Sequence, residues 1–297
     1  MELWHPGFNN LMPKNLLKHS RVGSDMKLEF WKLTGAGNDF VALDNRDGHI
    51  IETGRKERIA KWCRRGLSIG ADGVLLIEPS TTADFRMRYY NSDGSEGETC
   101  GNGSRCIARF AHMLGVADKQ MSFETMAGLY HAEILGDEVL VDMTPATGLR
   151  PAANFDDKAF RGEVTFLNTG VPHAVVFVED EESTNVTGIG RHLRFHEAFR
   201  PAGTNVNFIR VEDPANIIIR TYERGVENET LACGTGSIAS AVVAAHAGIA
   251  QSPVRLHTRG GETLTIHFDL TPEGATNIKL QGGARVVYKG FMEDAES

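Results

Sequence analysis

Short apolar runs, broken by Gly, Asp and Asn, recur along the whole chain. Residues 28–33, 40–44, 73–77, 84–90, 128–135 and 138–143 are rich in β-branched and aromatic side chains, and so are 163–168, 173–178, 205–211, 216–222, 254–257 and 262–268. That texture predicts strands. Two stretches, 103–114 and 236–247, carry helical spacing instead. The second, Gly236-Ser-Ile-Ala-Ser-Ala-Val-Val-Ala-Ala245, is apolar on every face. A helix of that kind must be surrounded, and in a strand-rich chain a curved sheet wrapped around it does this. Strands cluster rather than alternate strictly with helices, so the expected class is α+β with mostly antiparallel sheets.

The pattern is also duplicated. Glu96-Gly-Glu-Thr-Cys100-Gly-Asn-Gly-Ser104 lies over Glu229-Thr-Leu-Ala-Cys233-Gly-Thr-Gly-Ser237, and without a gap Ala108 meets Ala241, Ala111 meets Ala244 and Gly115 meets Gly248. Upstream, Leu33-Thr34-Gly35 before one apolar run resembles Asn168-Thr169-Gly170 before another. Two matches in register point to two copies of one fold. Residues 27–147 with 285–297 are expected to form the first domain and 148–284 the second, behind an irregular extension over residues 1–26.

Length agrees with this division, since 297 residues exceed what one hydrophobic core comfortably serves. Charged residues make up 24% of the chain and the net charge is −8, which argues against nucleic acid or anionic lipid as a partner. The first 25 residues include Lys14, Lys18 and Arg21 but lack the apolar core of a secretory signal. No run is long and apolar enough to span a bilayer. Four cysteines are too few for a disulfide framework, so the expected setting is the cytoplasm, with reduced thiols.

In both copies a Cys stands just ahead of Gly-x-Gly at the start of a helical stretch. Free N–H groups and the positive end of the helix dipole favour an anion there. The expectation is a lowered thiol pKa, with glycines that let backbone N–H groups approach a carboxylate or phosphate. Two copies packed about a pseudo-twofold axis would aim Cys100 and Cys233 into one interdomain cleft, across one small anionic ligand. Inverting a carbon centre needs a proton removed from one face and returned on the other, and an opposed thiolate and thiol can do this without a cofactor. A lone Cys is more often a small buried hydrophobe, and Cys63 and Cys106 are read that way. A structural zinc site is disfavoured, since there is no Cys-x-x-Cys pair and no matching His cluster. Gly35-Ala-Gly37-Asn-Asp-Phe40 is not a dinucleotide loop, because a strand follows it and the third glycine is missing.

Thr34-Gly-Ala-Gly-Asn-Asp-Phe40, Asn91-Ser-Asp-Gly-Ser-Glu96 leading to Cys100-Gly-Asn-Gly-Ser-Arg105, and Tyr222-Glu-Arg-Gly225 leading to Ala232-Cys-Gly-Thr-Gly236 resemble the diaminopimelate epimerases, from about Met26 to the end. The resemblance implies two similar α+β domains with the site between them and no pyridoxal phosphate; no other cofactor and no metal are expected, because no cofactor motif appears in the chain and two thiols suffice. The resemblance also implies the interconversion of LL- and meso-diaminopimelate, which supplies lysine and cell-wall precursors. Cys100 and Cys233 match the catalytic cysteines, and Gly101-Asn102 and Gly234-Thr235 the backbone donors to the carboxylate at the reacting centre. Asn38, Asn91, Asn205, Glu223 and Arg224 match residues that read the rest of the substrate. Chemically, Arg224 suits the distal carboxylate and Glu223 the distal ammonium.

Two positions depart from the family pattern. Many members have Gln where this chain has Gly73, and Gly-Asn-Pro-His where it has Gly170-Val171-Pro172-His173. The nearest rival reading is a proline or hydroxyproline racemase, whose first motif reads Cys-Gly-His where Cys100-Gly101-Asn102 stands here. A rival of another class is a non-catalytic amino-acid-binding or redox-responsive protein using the same cleft. The partner is expected to be a small molecule, and the chain to form a homodimer.

Overall fold

A computed structural model describes residues 26–98 and 100–294. But for Met26, the expected N-terminal extension lies outside the described residues. The first half of the chain contains β1 (Met26–Gly35), β2 (Asn38–Asp44), α1 (Arg55–Trp62), β3 (Gly73–Glu78), β4 (Phe85–Asn91), β5 (Glu96–Gly97), α2 (Gly101–Met113), β6 (Gln120–Thr125), β7 (Gly128–Leu135) and β8 (Glu138–Asp142). The second contains β9 (Thr147–Asp156), β10 (Arg161–Asn168), β11 (Pro172–Phe177), α3 (Val186–Phe195), β12 (Asn205–Asp213), β13 (Asn216–Glu223), β14 (Asn228–Thr230), α4 (Gly234–His246), β15 (Val254–Thr258), β16 (Thr263–Thr271), β17 (Gly274–Gly283) and β18 (Arg285–Asp294).

The ladders give one continuous order. From one edge it runs β18, β1, β2, β3, β4, β6, β7, β8. It then crosses to β17, β16, β15, β13, β12, β11, β10 and β9. Each half repeats the other strand for strand, down to the parallel pairs β2/β3 and β11/β12, and β4/β6 and β13/β15. The seam is the antiparallel pair β8/β17, where Val141 faces Leu280 and Leu140 faces Gln281. An antiparallel pair has local twofold symmetry, so this seam relates the two copies.

Each half encloses its helix because alternate strand residues serve two cores. Phe40, Ala42, Leu75 and Ile77 point to α2, where they meet Ile107, Phe110 and Ala111. Their neighbours Val41, Leu43, Val74 and Leu76 point the other way, to Ile59 and Trp62 of α1. In the second half Leu167, Val175, Ile209 and Ile219 pack on α4, and Val176, Val206, Phe208 and Tyr222 pack on Val186 and Leu193 of α3. Strands covered on both faces read as unbroken apolar runs, which is how they appear in the sequence. Helix α4 is buried all round, with Ala239, Ala241, Val242 and Ala244 fully enclosed. This is the α+β duplication expected. Both helices start two residues before the predicted 103 and 236. Among the described residues no helix is long and apolar enough to cross a membrane.

Candidate active site

The two repeated cysteines are the N-cap residues of α2 and α4. Cys100 and Cys233 are both extended, and each sulfur accepts the N–H of the residue three places on, Gly103 or Gly236, at 3.4 Å. The chain thus puts a thiol where a Ser or Asp commonly caps a helix. The two helix starts converge on one side chain. A Cβ at Gly101 would lie 2.9 Å from Leu280 Cδ2, and one at Gly234 3.0 Å from the same atom. Leu280, on the seam strand, packs against both N-termini, and a side chain at either glycine would push its Cδ2 aside. Each sulfur lies close enough for a charge on Cys100 to raise the pKa of Cys233.

The lowered thiol pKa expected from the helix termini is not what the structure gives. Burial pushes Cys100 up, against the N–H of Gly103, and pushes Cys233 up to about 12, with the charge of Glu223 adding to both. Loss of water outweighs one N–H bond and the helix dipole. The resting pair is therefore thiol and thiol.

Behind Cys233 a chain of hydrogen bonds has a fixed direction. Asn207 Nδ2 donates to the backbone oxygen of Ala174 at 3.2 Å, and Asn207 Oδ1 accepts from Thr221 at 3.0 Å, which sets the amide. The same Nδ2 lies 3.1 Å from His173 Nδ1, so that nitrogen accepts and the ring proton sits on Nε2. Nε2 donates to Thr235 Oγ1 at 3.1 Å, leaving the Thr235 hydroxyl hydrogen for Cys233 Sγ at 3.5 Å. Burial, with the Arg224 charge, lowers the His173 pKa to about 3, so the ring stays neutral.

The first half has a row of its own, built from other residues, which stops short of the Cys100 sulfur. Arg105 is fully buried and donates from Nη2 to Asn102 Oδ1 at 2.8 Å. Asn102 Nδ2 donates to Asn38 Oδ1 at 2.7 Å, and Asn38 Nδ2 to Asp72 Oδ2 at 3.0 Å. A guanidinium only donates and a carboxylate only accepts, so both amides between them can point one way. Arg65 closes the row on Asp72 Oδ1 at 2.8 Å.

Above these groups lies a cleft of about 900 Å³ lined from both halves, by Asn38, Asp72, Tyr89, Asn91 and Cys100 on one side and Glu223, Arg224 and Leu231 on the other. Of the residues singled out from sequence, Asn38, Asn91, Cys100, Glu223 and Arg224 thus line the opening. Cys233, Gly101, Asn102, Asn205, Gly234 and Thr235 are not on its wall. Asn205 instead braces it, accepting from Arg224 N at 2.8 Å and donating to Pro172 O at 3.0 Å. Burial, then the charge of Asp72, raises the Glu223 pKa. Among the described residues neither Glu223 nor Arg224 has an ion-pair partner. The cleft offers an acid and a base beside a thiol, the complement of a zwitterion.

Sequence reasoning missed Asp72, Arg65, Arg105 and the side-chain roles of His173 and Asn207. It also missed Tyr89, whose ring explains the departure at Gly73. A Cβ there would lie 2.8 Å from the Tyr89 ring, and one at Gly97 2.7 Å from it. Tyr89 thus occupies a slot between two glycines and donates to Asn91 Oδ1 at 2.8 Å. Of the remaining cysteines, burial lifts Cys63 to about 11 and Cys106 to about 12, and both sit in the core around the outer and inner helix of the first half.

A profile described as diaminopimelate epimerase matches residues 30–149 and 165–287. The diaminopimelate epimerase of Aquifex aeolicus (strain VF5) is 44% identical over 280 residues, covering 90% of this chain and 98% of the relative. Among solved structures, a PhzF-family phenazine biosynthesis protein of Bacillus anthracis aligns with TM-score 0.69 at 15% identity, over 90% of this chain and 99% of that one. A probable proline racemase of Agrobacterium radiobacter K84, with bound carbonate, aligns with TM-score 0.66 at 15% identity, over 91% and 93%. The two structural matches are a likeness of fold.

Proposed function

The chain belongs to the diaminopimelate epimerase family, and we propose that it carries out that reaction, converting LL-diaminopimelate to meso-diaminopimelate and back with Cys100 and Cys233 as the acid–base pair. The observation that carries this reading is the duplication itself, which puts one thiol on each of two helix N-termini that pack against the same Leu280 side chain.

In this reading the carboxylate at the reacting carbon is held by N–H groups at Gly101-Asn102 and Gly234-Thr235, where the helix dipoles stabilise charge developing on it. The adjacent α-ammonium supplies positive charge beside two thiols that burial keeps neutral, so that one of them loses its proton to solvent as substrate binds and is held as thiolate. That thiolate takes the α-proton, and the opposite thiol delivers one to the other face. In the reverse direction the roles exchange. Thr235, ordered by His173, donates to Cys233 when it carries charge. The distal amino acid end lies in the cleft, its ammonium toward Glu223 and its carboxylate toward Arg224, with Asn38, Asn91 and Asn205 completing or bracing the contacts.

The racemase reading is weaker, because proline has no second amino acid end for Glu223 and Arg224. A purely binding or redox role leaves two ordered hydrogen-bond rows behind the catalytic positions without a task. The thiols must stay reduced to work, which fits the cytoplasm. A homodimer fits the open edge of β18, where Val287, Tyr288 and Phe291 are exposed. The test is to incubate the purified chain with LL-diaminopimelate in D₂O and follow the α-proton signal by NMR, with proline alongside. Loss of the diaminopimelate signal with proline untouched is expected. Comparable exchange of proline would move the assignment to the racemase branch.

A further inference from the structure

The outer face of the second half carries a cluster that the epimerase reading leaves unused. His192, in the last turn of α3, and His196, the residue that caps its C-terminus, bring their rings to a centroid separation of 5.6 Å. Asp157, in the turn between β9 and β10, meets them from a different element, and one ligand atom from each of the three residues lies within 4.8 Å of the others. Sequence reasoning, which disfavours structural zinc for want of a Cys-x-x-Cys pair and a matching His cluster, misses this group because the fold and not the spacing brings Asp157 to the His-x-x-x-His pair.

Three further features suit a cation here. Asp157 Oδ1 is already fixed by the N–H groups of Ala159 and Phe160, at 2.8 and 2.9 Å, leaving Oδ2 directed at His192 Nε2, 2.7 Å away. The His196 ring is held edge-on against Phe155, with centroids 4.9 Å apart, which limits its rotation. Of the two nearest arginines of α3, Arg194 is paired with a carboxylate, and Arg191 stays at the rim of the site. Arg191 and Arg194 lie over the Phe195 ring, at 5.5 and 4.6 Å, and Arg194 also pairs with Glu227 at 3.1 Å. An open depression lined by Gly188, Arg191, His192, Phe195 and His196 gives access from solvent.

We propose that Asp157, His192 and His196 form a transition-metal site, with zinc(II) the best fit, on the face of the sheet opposite α4. Two imidazoles and one carboxylate suit zinc, nickel or cobalt rather than calcium or magnesium, which take oxygen ligands. A tetrahedral zinc about 2.0–2.1 Å from each ligand would spread the His192–Asp157 pair to about 3.3 Å, with water in the fourth position. Half-exposed side chains can make that adjustment. The metal would displace the proton shared by His192 and Asp157 into solvent and take one nitrogen of the His196 ring. It would tie the β9–β10 turn to the end of α3, a structural clamp outside the proton-transfer chemistry.

The test is titration of the full chain with cobalt(II), read by visible absorption, with zinc(II) as competitor. The expected result is one nitrogen–oxygen site with tetrahedral ligand-field bands, displaced by zinc and distinct from any sulfur-to-cobalt charge-transfer band at the thiols. His192→Ala, His196→Ala and Asp157→Asn should each weaken that site about tenfold or more, with epimerase turnover retained. Asp157→Asn keeps Oδ1 for Ala159 and Phe160 and so tests the ligand without removing the turn. Zinc should raise the melting temperature of the parent and of none of the three variants. No nitrogen–oxygen bands in the parent, or bands and zinc stabilisation that survive in His192→Ala and Asp157→Asn, would overturn the proposal.

Discussion

At Cys233 two influences oppose each other. The helix start and the Thr235 hydroxyl favour the thiolate, whereas enclosure disfavours it and prevails, with a pKa of about 12. The free protein should therefore react slowly with iodoacetamide near neutrality, at a rate that climbs with pH well beyond 9. A rate already level between pH 7 and 8 would mean that the thiolate is preformed. Cys100→Ser and Cys233→Ser keep an N-cap acceptor and should fold with near-parental stability, yet each should lose about 10²-fold or more in turnover, measured by α-proton exchange. His173 gives a prediction of opposite kind. Its pKa is near 3 in the fold and 6.5 as a free side chain, so the unfolded chain takes up a proton that the folded one refuses. The stability it contributes is present above pH 6.5 and is lost as pH falls toward 3. The melting temperature of the parent should fall more steeply over that interval than that of His173→Gln, and parallel curves would show that the ring is protonated in place. The cysteines were legible because duplication marks them. Asp72 and His173 were not, because Asn38, Asn207 and Thr235 reach them through the fold and not by proximity in sequence, and Arg105, whose partner Asn102 is three residues away, gave no sign that its guanidinium would be buried.

For the elements, what the sequence reveals depends on how each is covered. Strands β2, β3, β11 and β12 are buried on both faces and announce themselves as apolar runs. Strand β9 is exposed or half-exposed throughout and contains Pro151, so nothing in its composition marks a strand. Strand β17 is rich in glycine, and α1 buries only Arg55, Ile59 and Trp62 in a charged segment, which hides its helical pattern. Gly73 on β3 shows the finer constraint. An added Cβ would lie 2.5 Å from the Tyr90 backbone oxygen as well as 2.8 Å from the Tyr89 ring. Gly73→Ala should destabilise by about 1–3 kcal/mol, read from the denaturation midpoint. Tyr89→Ile should relieve part of that loss, because it removes the ring and leaves the carbonyl. Strict additivity of the two changes would show that residue 73 and the ring do not share space.

For the molecule as a whole, the twofold seam makes one site from two half-sites. Each copy supplies a helix, a thiol and an ordering row, but the rows differ: Arg105, Asn102, Asn38 and Asp72 in one half, and Thr221, Asn207, His173 and Thr235 in the other. The frame is symmetric and the dressing is not, as suits a substrate whose two faces must be served by different partners. Leu280 spans the axis, and Leu280→Ala should cost about 2–5 kcal/mol in stability while lowering kcat at constant folded fraction, since the spacing of the two helix starts is no longer held. The central claim is that two thiols act on opposite faces of one carbon, and its most direct test is the position of the label in early turnover. LL-diaminopimelate is supplied in D₂O, and both isomers are recovered at low conversion and analysed by NMR and mass spectrometry. With one thiol removing the proton and the other delivering its own, meso product should carry deuterium at the inverted carbon while recovered LL substrate keeps its protium. Protium carried from substrate into product, or deuterium entering substrate as fast as product, would mean that a single group serves both faces and would contradict the two-thiol account.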